Sequence, residues 1–122
     1  MESIDHTERR RHKRTRLEQV VIGIIECEAT ITTGMITDIS LGGVNFFHEL
    51  TSNDSVNFFH SIDLISESIS LNNIPCECAW KFKEHKESHF NLTKLEHCGI
   101  QFCELSPNQV VLLRNFLDYI GM

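Results

Sequence analysis

The sequence predicts an all-β domain, a small antiparallel β-barrel that one C-terminal helix covers. Three observations support this prediction. Short runs rich in β-branched and aromatic residues begin after residue 18, turn-forming residues separate them, and only the C-terminal end has a helical pattern. At 122 residues the chain has the length of one domain. We predict a flexible basic arm at residues 1–16, followed by the barrel and its helix at residues 17–122.

The first part of the barrel contains four predicted strands. The glycine pair Gly42-Gly43 marks a sharp turn before the third strand. The letters VNFFH then occur twice, with polar residues between the copies, and we interpret them as two similar strands of one hairpin. The four predicted strands span residues 19–27, 30–37, 44–49 and 56–60.

Two further strands complete the predicted barrel. The strand at residues 76–82 alternates with a period of two, and we expect its apolar face to lie in the core. That face carries Cys76, Cys78, Trp80 and Phe82. A polar loop is predicted at residues 83–94, and the last strand follows around residues 97–105.

The C-terminal segment predicts a helix over residues 107–120. Ser106 suits the N-cap, Pro107 suits the first helical position, and Gln109 completes a capping-box pattern. Apolar residues spaced three and four apart follow, which is the pattern of a helix with one buried face.

Composition and charge argue against a membrane-spanning or exported protein. The longest apolar run, residues 20–25, is far shorter than the ~20 residues that cross a bilayer. No apolar segment follows the charges of the N-terminus, so the pattern of a secretory signal is missing. We therefore expect a cytoplasmic protein without membrane insertion, in which the five cysteines stay reduced.

The basic arm stands out from an acidic chain. Six of the eleven Lys and Arg residues lie within residues 9–16, whereas the whole chain has a net charge of -6. Removing these six positive charges leaves the rest of the chain at -12. Arg10 and Arg14, with Arg9 directly before them, offer guanidinium forks that suit phosphate oxygens and the O6 and N7 edge of guanine.

A second candidate site is the corner between the second and third predicted strands. Asp38 and Ser40 are two residues apart, so an extended backbone would direct both to the same side. A carboxylate can accept two hydrogen bonds from the N1 and N2 edge of a guanine, and a hydroxyl can serve a base or a phosphate. Gly42 and Gly43 leave room for the backbone to approach a ligand and allow positive φ.

Together these segments resemble the PilZ domain family. That family has an RxxxR motif followed by a [D/N]xSxxG motif. Arg10 and Arg14 match the first motif, and Asp38, Ser40 and Gly43 match the second. The resemblance covers about residues 8–119 and includes the last strand and the capped helix. It implies a six-stranded antiparallel barrel, the PilZ-like split barrel, with one C-terminal helix.

The resemblance also implies a function without catalysis, the binding of the bacterial second messenger cyclic di-GMP (c-di-GMP). The arm would close over the ligand, with Arg10 and Arg14 on phosphates and guanine while Asp38 and Ser40 hold a guanine. The extra arginine directly before the motif, Arg9, resembles a variant of the family motif that suits an intercalated ligand dimer. Binding of two ligands per chain is therefore a hypothesis. Ordering of the arm would then signal to a protein partner in motility, secretion or polysaccharide synthesis.

Metal and catalytic sites have weaker support. Cys76 and Cys78 share a predicted core face with aromatic residues, where free cysteine acts as a small hydrophobe. His85 and His89 lie in the predicted polar loop, so we expect no metal and no cofactor besides the ligand. Ser40 lies near Asp38 but has no evident histidine base, so we predict no enzyme.

Two alternative functions stay open. The first is a small barrel that binds nucleic acid through its basic arm, although a body at -12 would repel a long polyanion. The second is a ligand-blind adaptor with a PilZ-like fold that works through protein contacts alone.

Overall fold

The computed structural model describes residues 15–16, 19–27, 30–50, 61–87 and 92–121. Within these ranges the chain forms seven β-strands followed by one helix. The elements are β1 Thr15–Arg16, β2 Ile22–Cys27, β3 Thr30–Ile39, β4 Gly43–Glu49, β5 Ser61–Ile65, β6 Ser70–Glu87, β7 Leu92–Phe102 and α1 Pro107–Ile120.

The strands form one antiparallel sheet that closes on itself. The neighbours follow the order β1, β3, β2, β5, β6, β7, β4, and β4 pairs back with β3. The strands β2 to β7 therefore make a closed six-stranded barrel, while β1 extends the edge of β3 beside β2. This closure confirms the predicted fold class.

The longest hairpin differs from the prediction. The polar loop predicted at residues 83–94 is wrong, because β6 continues to Glu87 and pairs with β7 as far as Leu92. The exposed positions in this part of β6 carry polar side chains, and a polar hairpin beyond the core has no apolar alternation to reveal it. The predicted strand at 56–60 lies outside the described residues.

A β-bulge in β6 changes the face of two aromatic residues. Cys78 pairs with Ile100 but Trp80 pairs with Gly99, so β6 has one extra residue between these pairs. One extra residue in a strand moves every later side chain to the opposite face. Cys76 is buried as expected, whereas Trp80 is 46% exposed and Phe82 is 53% exposed. The prediction that these two aromatic residues belong to the core is wrong.

One hydrophobic core fills the barrel and continues under the helix. Leu113, Phe116 and Ile120 of α1 are buried in it. The helix begins with the predicted capping box: the backbone N–H of Gln109 donates to Ser106 Oγ at 3.2 Å, and the N–H of Ser106 donates to Gln109 Oε1 at 2.9 Å. Each strand of the barrel adds inward residues to the core, for example Ile25, Ile36, Phe46, Ile62, Ile74 and Ile100.

In the part of the chain that the structure describes, no helix has the length and apolar character that a bilayer crossing requires.

Candidate functional site

The end of β3 lies between two other strands. On one side Arg16 pairs with Asp38 and Thr15 with Ile39, and on the other side Asn45 pairs with Asp38. The edge of β3 that pairs with β1 at Asp38 and Ile39 pairs with β2 over the preceding residues, as far as Met35. The corner at residues 38–43 therefore has β1 as a direct backbone neighbour. β1 begins at Thr15, the residue that directly follows the RxxxR motif.

A second β-bulge determines where Asp38 lies. Ile36 pairs with Phe46 and Asp38 pairs with Asn45, so Thr37 is an extra residue in β3. In a regular strand without the bulge, Asp38 would lie on the same inward face as Ile36, because residues two apart share a face. Instead Asp38 lies half-buried, and Asn45 Nδ2 donates a hydrogen bond to its Oδ2 at 2.9 Å. The bulge thus takes the carboxylate out of the core and fixes it beside a polar neighbour.

Ser40 has a different environment from Asp38. It follows the last residue of β3 and is only 3% exposed. Its hydroxyl oxygen accepts a hydrogen bond from the Gly42 N–H at 3.0 Å, and its own N–H donates to the Gly43 carbonyl at 2.8 Å. These two bonds close the turn between β3 and β4. Ser40 therefore stabilises the shape of the corner.

Gly43 is needed for close approach between β4 and β7. A Cβ on Gly43 would lie 2.0 Å from the Ile100 carbonyl oxygen of β7. The adjoining Gly42 carbonyl accepts a hydrogen bond from the Phe102 N–H at 2.9 Å. No described glycine has a positive φ, so the expected use of Gly42 and Gly43 for that conformation is wrong.

The structure thus brings four predicted site residues into one corner: Asp38, Ser40, Gly42 and Gly43. The three predicted arginines, Arg9, Arg10 and Arg14, lie outside the described residues, as does His89.

An exposed aromatic row runs across the outer face of β6, β7 and β4. The ring centroids of Trp80 and Phe82 are 5.8 Å apart, those of Phe82 and His97 are 4.7 Å apart, and Phe47 continues the row at 5.6 Å from His97. The Trp80 indole lies on the backbone of Gly99, where a Cβ would meet its Nε1 at 2.1 Å. The sequence interpretation missed this row because alternation alone does not reveal the bulge in β6.

A buried polar cluster inside the barrel was also missed. His48 of β4 lies opposite Glu96 of β7, and His48 Nε2 is 2.9 Å from Glu96 Oε1. The Cys98 Sγ is 4.0 Å from the same carboxylate oxygen. All three residues are buried. A signal was present in the sequence, since a period of two places His48 with Phe46 and Glu96 with Cys98 on inward faces.

The cysteines of this region are protonated thiols at neutral pH. The pKa of Cys76 and that of Cys98 are each raised to about 12, mainly by burial, and for Cys98 nearby Glu96 is the second cause. The pKa of Cys78 is also raised, again mainly by burial. None of these thiols has the lowered pKa of a nucleophilic cysteine.

Comparison with known proteins identifies the family. The sequence model of the PilZ domain family matches residues 8–119. The chain belongs to the PilZ domain family. No curated protein matches the sequence.

Solved structures share the fold of this PilZ domain. The PilZ domain of YcgR from Escherichia coli, solved with c-di-GMP, has a TM-score of 0.70 at 15% identity, over 92% of this chain and 91% of that chain. A longer YcgR chain from Escherichia coli, in complex with c-di-GMP, gives 0.65 at 14% identity, over 91% of this chain and 45% of that chain. MrkH from K. pneumonia in its apo state has a TM-score of 0.69 at 15% identity, over 88% of this chain and 49% of that chain. This PilZ domain thus spans about half the length of the two longer chains.

Proposed function

We propose that this PilZ domain is a non-catalytic cytoplasmic receptor module for c-di-GMP. The observation that supports it most is the pairing of β1 with the end of β3. Thr15 pairs with Ile39, and the Cα atom of Arg14, the preceding residue, lies about 3.8 Å from the Cα atom of Thr15. Arg10 is four residues further along the chain, at most about 14 Å away. Both arginines can therefore reach a ligand at the corner of Asp38.

Each predicted site residue has a role in this proposal. Arg10 and Arg14 bind phosphate oxygens and a guanine edge, and the Asp38 carboxylate accepts from the N1 and N2 groups of a guanine. Ser40 holds the turn through Gly42 and donates its hydroxyl proton to the ligand, because that proton has only a 3.5 Å contact with the Gly43 carbonyl. Closure of the arm over the ligand is the change that a protein partner reads.

Charge and binding energy agree with a small anionic ligand. Hydrogen bonds to charged groups contribute about 1.5–3 kcal/mol each, and fixing the backbone of the arm costs roughly 1–2 kcal/mol per residue. Five or six such contacts with base stacking, less the ordering cost, are compatible with micromolar binding, about -8 kcal/mol. A compact ligand touches only the arm and the corner, so the charge of -12 on the rest of the chain does not oppose it.

Calorimetric titration tests the proposal directly. We expect micromolar binding of c-di-GMP, and at least ~100-fold weaker binding of GMP and of cyclic di-AMP, which lack the second guanine or both guanines. Absence of c-di-GMP binding would instead support the ligand-blind adaptor. If Arg9 accommodates an intercalated dimer, the titration saturates at two ligands per chain. Saturation at one ligand rejects the dimer and leaves the receptor function intact.

Substitution of Asp38 separates the corner from the arm. Asp38→Ala should weaken c-di-GMP binding about 10–100-fold, the equivalent of one charged hydrogen bond to guanine. Asn45→Ala removes the donor that orients this carboxylate and should weaken binding less. Asp118→Ala removes an equal charge from the exposed face of α1 and serves as the control. Equal affinities of the Asp38 and Asp118 variants would remove Asp38 from the site.

Nucleic-acid binding is the second candidate, and the aromatic row is the observation that favours it. Exposed aromatic rings on a sheet can stack successive bases, as Trp80 and Phe82 could. The acidic body opposes it, because the chain outside residues 9–16 carries a net charge of -12 and would repel a long polyanion. Single-stranded RNA or DNA binding that falls steeply with salt, together with indifference to c-di-GMP, would favour this candidate over the receptor.

A further inference from the structure

The polar cluster inside the barrel has an unusual composition for a core. An isolated carboxylate or imidazole is costly to bury, and a buried ion pair is on balance weakly stabilising at best. Here a carboxylate, an imidazole and a thiol share one location within the wall formed by β4 and β7. Three ligand atoms in one place match the number of protein ligands in a zinc site that keeps one open position.

The separations of the donor atoms are close to those of a tetrahedral site. Usual zinc bond lengths place neighbouring N, O and S ligands about 3.4–3.6 Å apart around the ion. In the cluster His48 Nε2 and Glu96 Oε1 are 2.9 Å apart, and Cys98 Sγ and Glu96 Oε1 are 4.0 Å apart. All three donor atoms lie within 4.8 Å of one another. Adjustments of about 1 Å, which small side-chain rotations provide, would convert the cluster into three ligands of one ion.

From these distances we propose that His48, Glu96 and Cys98 form a binding site for Zn²⁺ inside the barrel. The imidazole supplies nitrogen, the carboxylate supplies oxygen and the thiolate supplies sulfur, a donor set that zinc accepts. Water completes the fourth position. The site is independent of the proposed receptor function. His48 lies on the inward face of β4 near its C-terminal end, whereas Gly43 of the corner is the first residue of that strand.

The surroundings provide a second support and an entry route. A cavity of about 340 Å³ lies where β3 and β4 separate beyond their last pair, Met35 with Phe47. His48 lines this cavity together with mostly apolar neighbours such as Ile22 and Leu95. An ion could therefore reach the imidazole without unfolding of the barrel.

Zinc binding must balance its protons. Zinc binds the thiolate, so binding releases the Cys98 proton to solvent, and His48 must present an unprotonated nitrogen.

Cobalt substitution provides a direct experiment on the full chain, without a histidine tag, stripped of metal and reduced. Co²⁺ should bind at one equivalent per chain and give the near-ultraviolet absorption of a thiolate–cobalt bond with the intense visible bands of tetrahedral cobalt. Zn²⁺ should displace it. Absence of this charge-transfer absorption in the wild-type protein would overturn the proposal by itself, whatever the variants do.

Matched variants locate the ligands. Cys98→Ser should abolish the charge-transfer absorption and weaken zinc binding at least ~100-fold, more than the loss expected from an outer-shell residue. Cys76→Ser is the control, because Cys76 is an equally buried thiol outside the cluster. His48→Gln should also weaken binding, whereas His97→Gln, which changes the surface His97–Glu84 pair, should not. Unchanged cobalt spectra in both Cys98→Ser and His48→Gln would overturn the assignment.

Discussion

Arg14→Ala is expected to lower the affinity for c-di-GMP at least ~100-fold, a larger loss than that expected for Asp38→Ala. A guanidinium fork makes two charge-assisted hydrogen bonds to a phosphate or a guanine edge, each contributing about 1.5–3 kcal/mol. Alanine keeps the chain length and removes both bonds. Isothermal titration calorimetry on the full chain measures the loss.

The same loss is expected for Arg10→Ala, and Arg11→Ala is the matched control. All three substitutions remove one positive charge from the same basic segment, but Arg11 occupies an unspecified position between the two arginines of the RxxxR motif. A general loss of electrostatic attraction would weaken all three variants alike, by a small and salt-dependent factor. A specific site requires large losses for Arg10 and Arg14 alone. Normal binding by the Arg14 variant would contradict the receptor assignment.

The thermal unfolding of these arginine variants should match that of the wild-type protein. The core residues that the structure describes lie between Val21 and Ile120, in the barrel and α1. Substitutions away from buried contacts usually change stability by less than about 0.5 kcal/mol. A loss of binding with unchanged unfolding would therefore report on ligand contacts and not on folding.

Local patterns predicted the helix better than the strands. The helix could be predicted to the residue because Ser106, Pro107 and Gln109 have distinct roles at its start, and all three are in place. The sequence did not predict β5, Ser61–Ile65, and it predicted only residues 76–82 of the longer β6. The closed barrel also follows from many short strands with one helix, since closure leaves no exposed sheet edge.

The bulges could not be predicted, and they determine which side chains reach the surface. One extra residue at Thr37 moves Asp38 to the outside beside Asn45, and one extra residue before Trp80 exposes the aromatic row. A bulge depends on how two strands pair, which the sequence of one strand does not record. The pairing of His48 with Glu96 was missed for the same reason, because it requires the register between β4 and β7.

The corner therefore combines two kinds of residue that the motif does not distinguish. Asp38 is half-buried, and Asn45 Nδ2 donates a hydrogen bond to its Oδ2. Ser40 is buried, and two bonds between its own atoms and the next glycines define the turn. Two residues of the same short motif thus lie in different environments, and only Ser40 closes the turn.

Gly43→Ala is expected to cause the largest loss of stability, roughly 2–4 kcal/mol. The added Cβ would lie 2.0 Å from the Ile100 carbonyl oxygen, so the start of β4 must move away from β7. That movement would weaken the ladder pair of Gly43 with Gln101 and the hydrogen bond from the Phe102 N–H to Gly42. Urea denaturation should show a lower midpoint with an unchanged slope.

A matched glycine distinguishes packing from ligand approach. Gly121 ends the helix with a φ of -90°, a conformation open to any L-residue, so Gly121→Ala should leave stability almost unchanged. If Gly43 served only to admit a ligand, Gly43→Ala would lose c-di-GMP binding but keep the midpoint of the wild-type protein. The conflict with the Ile100 carbonyl oxygen instead predicts that c-di-GMP affinity and the urea midpoint fall together. The reason is that the Ser40 N–H closes the turn on the carbonyl of Gly43, at the start of β4. A stable Gly43→Ala variant would therefore contradict the packing explanation of this glycine.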